Sequence, residues 1–103
     1  MAKRVPLKGK KKELEQIQKA LGEVLRDLRK KAGMSQLQLG EEADYHFTYI
    51  SQLERGTKQA GFGTIFLLAE KLNTTPNIIV KKVIKKLEQS KSRTRPRLEV
   101  KAK

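Results

Sequence analysis

Residues 36–53 read QLQLGEEADYHFTYISQL and decide the fold of this chain. The stretch predicts a short helix over 36–43, and a second helix follows after only about three residues. Ser35 is suited to cap the first helix, since its hydroxyl can accept a bond from a free backbone N–H. Gly40 supplies a small residue where the two helices touch. Asp44 lies at the turn and tolerates a left-handed conformation, so the two helices are joined by a tight turn.

The second of these helices has an unusual outer face. At about 100° per residue, Tyr45, Ile50 and Leu53 supply its apolar side. The opposite side is an uncharged stripe of Phe47, Thr48, Ser51 and Gln52. A solvated face is usually Lys and Glu, whereas groups that donate, accept or make apolar contact can interact with base edges in a major groove. The alternative is an ordinary amphipathic helix with an irregular outer face. The two helices together predict a helix-turn-helix.

The rest of the chain predicts an all-α domain. Apolar residues recur at three- and four-residue steps from Glu13 to Lys31, namely at Leu14, Ile17, Leu21, Val24, Leu25 and Leu28. Gly33 is suited to a left-handed cap after this helix. A fourth helix over about 62–72 buries Ile65, Leu68, Ala69 and Leu72. Thr75 and Pro76 open a fifth helix that runs to about Gln89. We therefore expect five helices around one core.

Charge is concentrated at the two ends of the chain. The net charge is +13 and the pI is near 10.2. Residues 1–12 carry six cations and no acid, and residues 91–103 carry six cations against one acid, which leaves 13–90 nearly neutral. The organisation predicted is a flexible basic arm over 1–12, a domain over 13–89 and a disordered basic tail over 90–103. Basic arms favour a nucleic-acid partner, although the arms could also be merely solubilising. A membrane surface is disfavoured, because neither arm interleaves its cations with large apolar residues.

Several classes of protein are excluded or disfavoured. A chain of 103 residues with no cysteine allows one domain without disulfides. His46 is the only histidine, so no metal site can be built on histidine and cysteine alone. The longest apolar run, 65–69, is too short to span a membrane, and no secretory signal is visible. No nucleophile motif is present, and the GFG at 61–63 lacks the rest of a phosphate loop. We expect no enzyme, no cofactor and a cytoplasmic, nucleoid-associated protein.

Three motifs carry a resemblance to a known family. They are LRDLRKKAGMSQLQL at 25–39, YISQLERG at 49–56 and LLAEKLNTTP at 67–76. The span from Leu21 to about Val80 resembles the phage repressor and Cro family, the lambda repressor-like DNA-binding domains. The YIS-x-LERG block is also similar to controller proteins of restriction–modification systems and to many small prophage and plasmid repressors.

The resemblance implies roles for particular residues. Gln36, first in its helix, would contact a phosphate. The start of the recognition helix would contact bases through Phe47, Thr48, Ser51 and Gln52. The residues after that helix would contact the DNA backbone again, at Thr57, Lys58 and Gln59. Arg29 would form a structural ion pair with Glu54. Outside the family pattern, His46 would cap the recognition helix or touch a phosphate, or lie inert on the surface, and Lys3 and Arg4 of the basic arm would add DNA contacts.

Three positions depart from the family. Gly40 stands where alanine is usual, and Asp44 replaces the usual glycine of the turn. Phe47 occupies a position where controller proteins carry arginine. A phenyl ring cannot hydrogen-bond guanine but can pack on a thymine methyl, so we expect an operator different from theirs.

The function expected is that of a sequence-specific transcriptional regulator on a palindromic double-stranded DNA operator. It would act as a small repressor, or dual-function controller, of its own or a neighbouring operon. One alternative is an antitoxin that grips a toxin partner through its fifth helix or tail. Another is an architectural or bridging protein that binds nucleic acid without sequence preference.

A homodimer is expected through the fifth helix. The predicted interface is Val83, Ile84 and Leu87, which would lie exposed on a monomer if the later turns overrun so small a core. The alternative is that this stripe folds back onto the first helix, where Leu14 and Ile17 provide an apolar surface to pack against.

Overall fold

The computed structural model describes residues 7–91 and shows five helices. They are α1 (Leu7–Lys31), α2 (Gln36–Ala43), α3 (Phe47–Arg55), α4 (Phe62–Lys71) and α5 (Pro76–Lys91). The described part contains no strand. The predicted all-α, five-helix fold is therefore confirmed.

The start of α1 differs from the prediction. The sequence placed it at Glu13, but the helix begins at Leu7 and is 25 residues long. Residues 7–12 are thus helical rather than part of a flexible arm. Lysine is a good helix former, and Gly9 lies within the first turn, where it does not interrupt the helix interior. The remaining arm, 1–6, and the tail, 92–103, lie outside the described residues.

Local chemistry fixes where the middle helices begin and end. The Ser35 hydroxyl accepts a bond from the Gln38 amide, and the Gln38 side chain accepts one from the Ser35 amide, which forms a reciprocal cap on α2. Gly33 has φ 74° and Asp44 has φ 62°, so both adopt the left-handed conformation that the sequence predicted for them. The chain can therefore turn sharply on either side of α2.

The core is assembled mainly by α1, which packs against α3 and against α5. Its buried apolar side chains come from all five helices and the residue after α4. They are Ala20, Val24, Leu25, Leu39, Ala43, Ile50, Leu53, Leu68, Ala69, Leu72, Ile79 and Val83. Leu14 and Ile17, in the first half of α1, are exposed because this part of the helix extends beyond the core.

The contact between α1 and α3 is made directly by backbone. A Cβ atom at Gly22 would collide with the carbonyl groups of Leu53 and Glu54. Only glycine lets α3 lie this close to α1. The carboxyl end of α3 is thus held at a fixed distance from the longest helix of the domain.

The placement of Val83 corrects the expected dimer interface. Val83 is only 8% exposed and belongs to the core, and Leu87 is half-buried against that core. Only Ile84 of the three predicted residues is exposed, at 48%. The prediction was wrong for Val83 because α5 packs along α1. Leu14 and Ile17, on which the alternative placed the stripe, stay exposed.

Candidate nucleic-acid interface

The turn between α2 and α3 is built from Gly40 and Asp44. The Asp44 amide donates to the carbonyls of Gly40 and Glu41, and the Tyr45 amide donates to the Gly40 carbonyl over 2.8 Å. A Cβ at position 40 would lie 2.6 Å from the Tyr45 carbonyl oxygen. Alanine, the usual family residue there, does not fit without a shift of the backbone. The two departures from the family thus occur within one tight turn.

His46 begins α3 as its N-cap. Its Nδ1 accepts a hydrogen bond of 3.1 Å from the Thr48 amide, and its ring stacks on Phe47 with centroids 4.9 Å apart. A cap on a free N–H of the first turn stabilises a helix by roughly 1 kcal/mol. In the described structure His46 therefore has the capping geometry, and it also orients the Phe47 ring.

A buried ion pair joins α1 to the end of α3. Arg29 Nε and Nη2 donate to the two carboxylate oxygens of Glu54 over 2.6 and 3.0 Å, and Arg29 Nη1 donates to the Met34 carbonyl over 2.8 Å. The residues are 8% and 9% exposed. The hydrogen bond to Glu54 raises the pKa of Arg29 above its usual value, so the guanidinium stays charged. This bidentate pair fixes α3 relative to α1.

Gln36 belongs to the same network. Its Nε2 donates to Glu54 Oε1 over 2.9 Å, so the first residue of α2 is bound to the last turn of α3. The resemblance implied a phosphate contact for this residue. The geometry adds a bracing contact: one carboxylate holds residues of both α1 and α2 at the motif.

The stripe lies on the side of α3 opposite its buried apolar residues. Phe47 is 46% exposed and Thr48 is exposed, while Ser51 and Gln52 are half-buried. Ile50 and Leu53, on the opposite side, are buried. The structure thus places the four predicted residues on one open face of a helix whose other face is fixed.

Arg55 is a polar residue of this face that the sequence analysis did not single out. It is exposed, and its Nη1 donates to the Ser51 hydroxyl one turn earlier. The spacing of four residues from Ser51 was the signal that could have identified it. A cation at the end of the stripe suits a phosphate or a guanine.

The loop after α3 is exposed and well anchored. Thr57, Lys58 and Gln59 are all exposed. The Thr57 amide and hydroxyl both bond the Gln52 carbonyl, over 3.0 and 3.2 Å. Gln18 of α1 donates to the Gly56 carbonyl over 3.3 Å. The three predicted backbone-contacting residues therefore continue directly from the recognition helix. Lys3 and Arg4 lie outside the described residues.

Two further properties concern membranes and metals. None of the helices in residues 7–91 is both long and apolar enough to cross a membrane. The same residues hold no group of three or more His, Asp or Glu side chains arranged around a possible metal ion.

Comparison with known sequences identifies the family. The family model described as Helix-turn-helix matches residues 25–79, just over half of the chain. Control protein C.BamHI of Bacillus amyloliquefaciens is 39% identical over 56 residues, which are 53% of this chain and 69% of that protein. Control protein C.SmaI of Serratia marcescens is 34% identical over 70 residues, 67% of this chain and 83% of that protein. The chain belongs to the helix-turn-helix family of DNA-binding transcriptional regulators.

Solved structures agree with this assignment. The restriction-modification controller protein C.AhdI of Aeromonas hydrophila superposes with a TM-score of 0.59 at 29% identity, over 60% of this chain and 94% of that one. The clp gene regulator ClgR of Corynebacterium glutamicum superposes with a TM-score of 0.72 at 22% identity, over 75% of this chain and 82% of that one. At this identity the similarity shows the fold alone. The chain is thus homologous to controller proteins, as its motifs predicted, and these relatives are regulators rather than enzymes.

Proposed function

We propose that this protein recognises a specific DNA operator and thereby represses or controls its own or a neighbouring operon. In this proposal α3 enters the major groove and its stripe contacts base edges, while Gln36 and the loop residues Thr57, Lys58 and Gln59 contact phosphates. It acts in the cytoplasm, in association with the nucleoid, and performs no catalysis. Its homology to controller proteins supports a role in transcription.

One observation carries this proposal: the contrast between the two faces of α3. The inner face is held by buried Ile50 and Leu53 and by the Glu54 network. The outer face presents the exposed Phe47 ring and Thr48 hydroxyl, with Ser51 and Gln52 half-buried beside them. A rigid helix with an adaptable polar face is what direct recognition of bases requires.

We further propose a homodimer that uses a different set of residues from the predicted one. Large apolar side chains remain exposed on the first half of α1, at the start of α4 and on α5. They are Leu14, Ile17, Phe62, Val80 and Ile84, and we call them the apolar surface. All but Ile84 line one shallow groove. A twofold mate would cover this surface and place two α3 helices on one palindrome.

The test of base recognition starts from DNA selected out of a random pool. Gln52→Ala should weaken binding to the selected site by roughly 1–3 kcal/mol and relax preference at one or two base pairs, because a base-edge contact is lost. Binding to unrelated DNA should barely change. Glu42→Ala, on the exposed side of α2, is the control and should leave selectivity unchanged. Full affinity of Gln52→Ala for the selected site would exclude the stripe as the recognition surface.

A further inference from the structure

The outer face of α5 is rich in lysine, with Glu88 as the one acid of this helix close to it. Ile79 and Val83 point into the core, and Lys81 and Lys85 lie roughly 180° and 220° around the helix from their mean direction. Lys81, Lys82 and Lys85 are exposed. Over Pro76–Lys91 the sequence contains a single acid, Glu88. We call Lys81, Lys82 and Lys85 the lysine face.

Lys86 differs from its neighbours. Its Nζ lies 3.5 Å from Glu23 Oε1 and 3.8 Å from Asp27 Oδ2, so α1 partly neutralises it. The outer face of α1 mixes acids and bases in this way, as an ordinary solvated face does. The lysine face is more strongly basic, with three lysines beside Glu88. Lys31 of α1 joins Lys82 and Lys85 along one shallow groove, which Asp27 and Lys86 also line. The mutual repulsion of these cations would be relieved by a bound polyanion.

The lysine face lies on the opposite side of the domain from the recognition helix. Gln18 of α1 donates to Gly56, which follows α3, and Arg29 of α1 donates to Glu54 near the end of α3. Gln18 and Arg29 lie on the same side of α1. Asp27 and Lys31, which approach α5, lie roughly 160–200° around the axis from Arg29. α5 and α3 therefore flank α1 on nearly opposite sides, and the outer face of α5 points away from the recognition surface.

We propose that the lysine face is a second DNA-binding surface, which binds the phosphate backbone of a duplex without regard to its sequence. A protein bound to its operator through α3 can then hold a second duplex. The complementarity of charge selects DNA as the partner, since log affinity for a polyanion rises with each lysine–phosphate contact.

The lysine face and the proposed dimer use different parts of α5. Val80 and Ile84 lie roughly 100° and 140° around the helix from Ile79, whereas the lysine face occupies about 200–300°. A twofold mate on the apolar surface therefore leaves the lysines open. The dimer would carry two such faces and hold the second duplex more firmly.

The experiment measures capture of a second duplex by the full chain. The selected site is immobilised, protein is bound to it, and a labelled duplex that lacks the site is added at increasing salt. The parent should retain the labelled duplex. Lys81→Gln/Lys85→Gln should lower its retention at least tenfold at moderate salt, and the log–log salt slope of this step should fall by about 1.8 for two lost contacts. Binding to the immobilised site should be unchanged.

The matched control removes two cations from another exposed helix face. Arg26→Gln/Lys30→Gln lies on α1 and should retain the labelled duplex as the parent does. Three results would overturn the proposal. The first is a parent that captures no labelled duplex, which would assign the face to solvation or to an acidic protein. The second is capture of as much labelled duplex by Lys81→Gln/Lys85→Gln as by the parent, and the third is an equal loss of capture in this variant and in the control variant. A proportional loss of operator binding by Lys81→Gln/Lys85→Gln would also count against it, because the two surfaces would then be one.

Discussion

Arg29 and Glu54 are buried charges that depend on each other. Removal of Arg29 leaves the Glu54 carboxylate in the interior, where the Gln36 amide is its one remaining side-chain donor among the described residues. Arg29→Ala should therefore lower the free energy of unfolding by roughly 3–5 kcal/mol, as for other broken buried pairs. Urea unfolding followed by circular dichroism measures this loss. Lys30→Ala, one residue along and exposed, should change stability by less than about 1 kcal/mol. An Arg29→Ala protein as stable as Lys30→Ala would show that the pair contributes nothing.

Single residues also mark how far sequence reasoning could reach. The Arg29–Glu54 pair was expected from family resemblance, since no periodicity connects positions 25 residues apart. The hydrogen bond from Gln36 to Glu54 was not expected, because the side-chain amide of a glutamine at the start of a helix can donate equally well to a DNA phosphate or to a carboxylate. Only the tertiary structure shows that Glu54 lies within 2.9 Å of it.

At the scale of elements, the joint between α2 and α3 depends on Gly40. Alanine would gain about 1 kcal/mol of helix propensity, but its Cβ would lie 2.6 Å from the Tyr45 carbonyl oxygen. Backbone cannot move aside as a side chain can, and overpacking typically costs 1–3 kcal/mol. Gly40→Ala should therefore destabilise the fold slightly and weaken operator binding by tilting α3. Thermal unfolding and a DNA titration measure the two effects.

Gly63 provides the matched control for that substitution. It lies in α4, and a Cβ there meets nothing within 4 Å. Gly63→Ala should stabilise the protein by up to about 1 kcal/mol. If Gly40→Ala lowers the free energy of unfolding while Gly63→Ala raises it, the effect at position 40 belongs to the turn. Equal stabilisation at both would mean that the turn relaxes freely.

Elements differ in how well the sequence defined them. α2 was predicted at its observed bounds because Ser35 and Asp44 supply chemical signals at both ends. The start of α1 was misplaced by six residues, since a run of lysines with one glycine has no apolar period from which to infer a helix. The packing of α5 was left open, because the stripe of Val83, Ile84 and Leu87 can pack either against a second protomer or against α1 of the same chain. Packing then buried Val83 and left Ile84 outside.

At the scale of the whole molecule, the apolar surface predicts self-association. Val80→Asp/Ile84→Asp should convert a dimer to a monomer, because two charges would be buried at the twofold interface. Sedimentation velocity at micromolar concentration without DNA measures this. Both residues are about half exposed, so the fold should survive, whereas Val83→Asp would disrupt the core itself. Ile78→Asp, on the same helix and 39% exposed but outside the apolar surface, should remain dimeric. A monomeric parent would contradict the dimer.

The stripe of α3 has a consequence for the evolution of this protein. Among the described residues, two kinds of contact hold α3 in place. The Glu54 carboxylate and the Gln52 carbonyl accept hydrogen bonds, while the backbone beside Gly22 and the buried Ile50 and Leu53 pack against the domain. None of them uses the side chains of Phe47, Thr48 or Gln52. Under the proposed mode of DNA binding, mutations at these three positions would change the preferred operator at little cost in stability. A new specificity of this protein would then need no compensating change in its core.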